Sequence, residues 1–306
     1  MNPPMIKGLF PPIPTPFDEG GELDTEALAE NMAWWNGFDL SGFVVLGSNG
    51  EAAHLGEAEK LQLIETARAC IPDDRTLITG TGLQSTLSTI RLTQAAASAG
   101  SDYALVLPPF YYRALMTDDV LDRHYRAIAD SSPIPVILYN MPACTGIDLS
   151  VELVVRLSRH DNIRGLKDSS GNIAKIGSIY GELGDSFSIL AGSGSFLLPA
   201  LSVGAVGGVL ALANIAPEEC IQIHRFVASG DLRRATQLQV RLIPSNDAIT
   251  RRWGVPGLKA AMEMLGLHGG SVRGPLRSLT DAARAQLRST LLEARILRPA
   301  KEEVVR

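Results

Sequence analysis

Ile163-Arg164-Gly165-Leu166-Lys167-Asp168-Ser169-Ser170 begins as a short apolar run and ends in polar residues. Residues 163–166 predict the end of a buried strand, and Lys167 falls where that strand meets its loop. Amphipathic segments flank it, and they predict helices over about 150–159 and 173–180. The same alternation runs outward in both directions. Upstream, strands predicted at 8–13, 42–46, 76–79, 103–107 and 135–139 alternate with helices at 24–36, 56–70, 85–99 and 117–130. Asp24 is placed to cap the first of these helices, and Gly100 to stop the third. Downstream, strands are predicted at 188–191 and 206–210, the second followed by a helix at 216–228. Continuous apolar strands alternating with helices predict a parallel sheet covered on all sides. Eight strand–helix units over about 230 residues fit a closed (β/α)8 TIM barrel. An open doubly wound sheet is the alternative, but no Gly-x-Gly-x-x-Gly turn follows the first strand. From Asp231 onward the alternation stops, and 235–242, 257–265 and 281–294 all read as helices. The expected organisation is an α/β chain with its barrel in 1–230 and a C-terminal helical domain in 231–306.

Composition narrows the classes of function. The chain has 306 residues, 45% of them hydrophobic, which is ample for a large core. A net charge of -5 gives no electrostatic case for nucleic acid or an anionic membrane surface. Cys70, Cys144 and Cys220 are odd in number and far apart, so neither a disulfide framework nor a Cys-x-x-Cys metal pair is expected. The five histidines are scattered, none at a helical ligand spacing from another, and no metal is expected. The start, Met1-Asn2-Pro3-Pro4-Met5-Ile6-Lys7, has no apolar run behind a basic start, so it does not read as a signal peptide. Residues 187–217 carry no charge and are long enough to span a membrane. Eight glycine, proline and asparagine positions, Gly192 and Pro217 among them, break the stretch instead into a strand, a short helix and a second strand. A soluble, cytoplasmic protein is expected.

In a barrel the C-terminal ends of the strands face one mouth, where active sites sit. Lys167 there has two readings: a loop cation paired with Asp168, or a reactive amine. A free lysine, with a pKa of about 10.4, is almost wholly protonated at neutral pH and cannot attack a carbonyl. Desolvation against apolar walls favours the uncharged amine. Other polar groups converge on the same mouth. After the second strand comes Gly47-Ser48-Asn49-Gly50-Glu51, whose glycines permit a tight fold. Its N–H groups, the Ser48 hydroxyl and the Asn49 amide can hold a carboxylate, although such a run is also ordinary turn chemistry. Tyr111 and Tyr112 follow the fourth strand, Tyr139-Asn140-Met141-Pro142 the fifth, and Gly192-Ser193-Gly194 the seventh. A lysine, a tyrosine hydroxyl and a carboxylate cradle are what Schiff-base chemistry on a 2-oxo acid needs. The lysine forms an iminium with the C2 carbonyl, the tyrosine moves protons, and the cradle fixes the acid end. Carbonyl activation of this kind requires no metal or organic cofactor.

Five stretches carry a resemblance: Pro12-Ile13-Pro14-Thr15-Pro16-Phe17, Gly47-Ser48-Asn49-Gly50-Glu51, Tyr139-Asn140-Met141-Pro142, Gly165-Leu166-Lys167-Asp168-Ser169-Ser170 and Ala191-Gly192-Ser193. In this order they resemble the dihydrodipicolinate synthase and N-acetylneuraminate lyase family of pyruvate-dependent class I aldolases, over 8–270. The resemblance implies a (β/α)8 barrel with a C-terminal helical domain, assembled as a homotetramer. It implies Lys167 as the Schiff-base lysine, Tyr139 as the proton shuttle, and Tyr111 as the tyrosine lent to a neighbouring subunit's site. Ser48, Asn49 and Gly50 would bind the pyruvate carboxylate, and Ser169, Gly192 and Val209 would complete the substrate pocket. Two departures bear on the substrate. Synthases of this family usually carry Gly-Thr-Thr-Gly-Glu in the cradle, and an arginine five residues after the catalytic tyrosine; here those positions hold Ser48-Asn49 and Cys144. A thiol cannot replace a bidentate guanidinium. The cradle, Pro109-Phe110-Tyr111-Tyr112-Arg113, Leu212-Ala213-Asn214 and the run from Thr250 to Lys259 are more similar to 4-hydroxy-2-oxoglutarate aldolases, which split that substrate into pyruvate and glyoxylate. Dihydrodipicolinate synthesis, cleavage of a 2-keto-3-deoxy sugar acid, and a catalytically silent barrel used as a sensor or scaffold are the alternatives.

Overall fold

The computed structural model describes residues 5–298. Residues 1–4 and 299–306, to which the signal-peptide expectation and the end of the 231–306 segment extend, lie outside those described. Eight strands form a parallel sheet: β1 Gly8–Phe10, β2 Gly42–Val45, β3 Thr76–Gly80, β4 Tyr103–Val106, β5 Val136–Asn140, β6 Ile163–Asp168, β7 Ser188–Ala191 and β8 Gly207–Val209. Hydrogen-bonded neighbours run β1-β8-β7-β6-β5-β4-β3-β2. The ring closes between β1 and β2 through an irregular, proline-rich join. There Val44 N–H donates to the Pro11 carbonyl at 3.0 Å and Ile13 N–H to the Val44 carbonyl at 2.9 Å. Pro11 and Pro12 have no N–H to give, so the ladder thins and the strand expected over 8–13 shortens to β1. Asn214 anchors this join, its Nδ2 donating to the Pro12 carbonyl at 3.0 Å.

The helices between strands are α1 Thr25–Asn36, α2 Glu57–Cys70, α3 Thr86–Ser98, α4 Asp118–Ser131, the single turn α5 Pro142–Thr145, α6 Val151–Leu157, α7 Ile173–Leu183, α8 Leu197–Ser202 and α9 Pro217–Ala228. Local chemistry sets where several of them start. The side chains of Asp24, Ser85, Thr117, Ser150 and Asn172 each accept a hydrogen bond from the backbone N–H three residues on. Beyond the barrel lie α10 Leu232–Asp247, a π-helical turn Ala248–Arg252, α11 Gly254–Met264 and α12 Asp281–Glu293.

Two apolar clusters result from the alternation of side chains along each strand. Phe10, Val44, Ile78, Ile137, Leu190 and Val209 fill the barrel interior. Val45, Leu138 and Leu166 point outward under the helices, in a cluster that also takes in Leu242, Ile249, Leu258 and Met262 of the C-terminal segment. The C-terminal helices thus share one core with the outer layer of the barrel. Among the described residues no helix is long and apolar enough to cross a membrane. The charge-free stretch 187–217 divides, as expected, into β7, α8 and β8.

Candidate active site

The decisive pair is Tyr139 on β5 and Lys167 on β6, which stand opposite each other in the parallel register. Ile137 and Tyr139 point into the barrel while Val136 and Leu138 point out. On β6 the outward Leu166 sends Lys167 inward by the same alternation. Lys167 is 3% and Tyr139 4% exposed. The lysine Nζ lies 3.8 Å from the centroid of the tyrosine ring. The tyrosine hydroxyl in turn stands 3.4 Å from Ser48 Oγ.

Two sequence expectations change here. Lys167 is not at the strand–loop junction, because the ladder continues one residue further: Asn140 pairs with Asp168, and Ser169 N–H donates to the Asn140 carbonyl at 2.9 Å. Nor does Lys167 pair with Asp168, since neighbours on a strand face opposite ways. Asp168, fully buried, turns outward. It accepts from Asn140 Nδ2 at 2.8 Å, from the Ser170 N–H at 2.8 Å and from the Ser170 hydroxyl. It also pairs with Lys175 at 3.6 Å, and Lys175 reaches Asp148 at 2.5 Å. The residues next to the amine are thereby locked on both strands without a carboxylate facing it.

The loop after β2 forms a short 3-10 turn, Ser48–Gly50. Gly50 N–H closes on the Gly47 carbonyl at 3.0 Å, and the Gly50 carbonyl accepts from the Thr15 hydroxyl at 2.7 Å. A Cβ at Gly50 would sit 3.0 Å from the Ile13 carbonyl, so this position has little room for a side chain. Ser48 is exposed, Asn49 half-buried and Gly50 buried. After β7, Gly192 N–H donates to the Asp168 carbonyl at 2.7 Å. A Cβ there would lie 2.0 Å from Ser169 Oγ, which excludes any larger residue. The Ser169 hydroxyl is itself buried and, among the described residues, lacks a hydrogen-bond partner. Val209 closes the interior beside Tyr139 and Leu190.

Tyr111 is not drawn into this group within one chain. It is 77% exposed, and its ring meets only that of Tyr112, edge-on, with centroids 5.1 Å apart. Cys144 on α5 is nearer: burial pushes its thiol pKa up, while the Lys167 charge pulls it down. Arg113 leans on Gly146, where a Cβ would fall 2.5 Å from its Nη1. Among the described residues no cluster of three or more His, Cys, Asp or Glu is placed to hold a metal ion.

Two buried lysines escaped the sequence reading: Lys175, beneath Asp168, and Lys259, paired with Glu51 at 2.7 Å. The available signal was position. Each lies on the buried stripe of its helix, Lys175 beside Ile176 and Ile179, Lys259 beside Leu258 and Met262.

Residues 5–294 match the family described as the Dihydrodipicolinate synthetase family. This chain belongs to that family. The dihydrodipicolinate synthetase family comprises carbon–carbon lyases of the class I aldolase type, and the protein is an enzyme of this class. It is 36% identical over 288 residues to a 4-hydroxy-tetrahydrodipicolinate synthase from Methanothrix thermoacetophila, covering 94% of this chain and 96% of the relative. It is 35% identical over 298 residues to a probable mitochondrial 4-hydroxy-2-oxoglutarate aldolase from Emericella nidulans, covering 96% of each. Among solved structures, the chloride-inhibited dihydrodipicolinate synthase of Acinetobacter baumannii complexed with pyruvate superposes with a TM-score of 0.91. That match is at 31% identity and spans 95% of this chain and 100% of the other. The barrel with its C-terminal helices is therefore the family's fold.

Proposed function

We propose that this enzyme forms a Schiff base between Lys167 and the C2 carbonyl of a 2-oxo acid, and that it cleaves 4-hydroxy-2-oxoglutarate to pyruvate and glyoxylate. The observation that carries the chemistry is the line Lys167 Nζ, Tyr139 ring, Tyr139 hydroxyl, Ser48 Oγ, with steps of 3.8 Å to the ring centroid and 3.4 Å between hydroxyls. The amine attacks C2 and water leaves, giving an iminium. Tyr139 takes the proton from the C4 hydroxyl, the C3–C4 bond breaks toward the iminium, and glyoxylate departs. The resulting enamine is protonated at C3, and hydrolysis frees pyruvate and the lysine. Ser48, Asn49 and Gly50 hold the C1 carboxylate, while Ser169, Gly192 and Val209 shape the pocket around C2 and C3. The iminium itself withdraws the electrons, so the step calls on no metal or organic cofactor.

The second substrate follows from what stands near the amine. Synthesis of dihydrodipicolinate requires a grip on the carboxylate of aspartate semialdehyde, and Cys144 provides no charged donor. The relative named as a 4-hydroxy-2-oxoglutarate aldolase supports the cleavage. The relatives named as synthases, and the placing of Arg113 against Gly146 two residues from Cys144, favour the synthase as second reading. We further propose a homotetramer in which Tyr111 completes a neighbouring subunit's site, and a division into a catalytic barrel at 1–230 and a helical domain at 231–306.

Borohydride reduction in the presence of pyruvate is expected to add mass to the Lys167 peptide and to no other, and to fail in Lys167→Ala. Labelling that persists in that variant overturns the Schiff-base assignment. For the substrate, a charge-assisted hydrogen bond is worth about 1.5–3 kcal/mol. Cleavage is therefore expected to exceed dihydrodipicolinate synthesis in kcat/KM by at least about 10-fold, with Cys144→Arg narrowing the gap. Efficient synthesis without cleavage assigns the second reading.

A further inference from the structure

Below the cradle lies a buried set of charges that the chemistry above does not use. Glu51 follows the Ser48–Gly50 turn directly, in the left-handed region at φ +51°, uncommon for a residue with a side chain. This backbone turns its carboxylate inward, where it is 3% exposed. Lys259 of α11, itself 2% exposed, meets it at 2.7 Å and also donates to the Ser271 carbonyl at 2.6 Å. The second carboxylate oxygen of Glu51 accepts from the Arg273 N–H at 3.0 Å and lies 3.2 Å from His54 Nδ1. Arg273 grips Glu59 through two guanidinium nitrogens and reaches the carbonyls of Gly21 and His54. Lys259 and Arg273 both cap the Phe17 ring, at 4.5 and 4.3 Å. Loss of hydration lowers the pKa of Lys259, and Glu51 opposes that fall.

The geometry points to Glu51 and Lys259 as positioning residues. We propose that their buried ion pair ties the cradle to the C-terminal helices and sets the affinity for the substrate's C1 carboxylate, a role that rests on the cradle assignment above. The physical reason is the asymmetry of buried pairs. Together the two charges satisfy each other, whereas one left alone is driven toward water and carries its backbone with it. Glu51 has no slack in that event, because Ser48, Asn49 and Gly50 precede it without interruption. A displacement near 1 Å at a positioning group is enough to cost about 100-fold in reaction.

The test titrates pyruvate against borohydride labelling of Lys167 in the full-length wild type, Lys259→Met, Glu51→Gln and the double variant, alongside KM and kcat. In each folded single variant the half-saturating pyruvate is expected to rise about 10- to 100-fold, with plateau labelling and kcat nearly unchanged. Glu51→Gln/Lys259→Met buries no lone charge and is expected to recover most of the affinity, which general loosening of the fold does not predict. If Lys259→Met fails to fold, Glu51→Gln and the double variant carry the same comparison. Half-saturation within about 2-fold of wild type in the folded variants, or labelling lost only in step with folded protein, overturns the proposal. Absence of any adduct in the wild type is a different result. It removes the Schiff-base reading itself, and this role with it.

Discussion

Tyr139 has an ordinary structural explanation, since an aromatic ring ending an apolar strand fills the core, and its ring does pack in the barrel interior. What the core does not require is the hydroxyl, which stands 3.4 Å from Ser48 Oγ at the mouth. Tyr139→Phe separates the two. The ring and its stacking under Lys167 remain, so the melting temperature is expected to hold. Turnover is expected to fall by about 10²–10⁴-fold, the usual contribution of a placed proton-transfer group. A steady-state assay beside a thermal melt checks this, and near wild-type turnover returns Tyr139 to a packing role. Lys167 illustrates what sequence alone shows at this scale. Its motif was legible, but its orientation came from the strand continuing to Asp168, which reverses the expected partner. Asp168 belongs to Asn140, Ser170 and Lys175 instead.

At the scale of elements, the strands and helices were legible because periodicity and caps agree: Asp24, predicted as a cap, accepts from Ala27 N–H at 2.9 Å. The join at Pro11 and Pro12 was less so, because a proline-rich run reads as strand or loop until its partner is known. Buried charge was least legible. Nothing in a single sequence says that Lys175 and Lys259 turn inward, since lysines at those spacings are usually solvated. His124 on α4 is a further case. Its Nδ1 lies 2.8 Å from Thr86 Oγ1 on α3, its Nε2 is buried without a partner, and burial lowers its pKa from 6.5 to about 4. The unfolded chain binds the proton more tightly than the folded one. The stabilising contribution is thus complete above pH 6.5 and lost as pH falls through about 4. Unfolding free energy measured by denaturant between these limits is expected to fall with acid, and the slope to flatten in His124→Gln. An unchanged slope means that His124 is not the group responsible.

At the scale of the whole molecule, one chain assembles Lys167, Tyr139 and the cradle, yet leaves Tyr111 in solvent. Phe110, Tyr112 and Leu115 beside it are exposed as well, an apolar surface on the loop after β4. In the proposed tetramer that surface meets a second copy, and Tyr111 serves the neighbour's Lys167. A two-fold contact makes the exchange reciprocal, so two defective chains can repair one site between them. Tyr111→Phe keeps Lys167 but lends no hydroxyl; Lys167→Ala lacks the amine but still lends Tyr111. Each variant alone is expected to be weak or inactive. Co-expressed with different tags and purified through both, the mixed assemblies are expected to recover activity well above the sum of the two. For random pairing at equal amounts, about a quarter of the sites are restored, since half of the pairs are mixed and each has one complete site. A mixed assembly no more active than its parts means that Tyr111 acts within its own chain or does not act in the reaction.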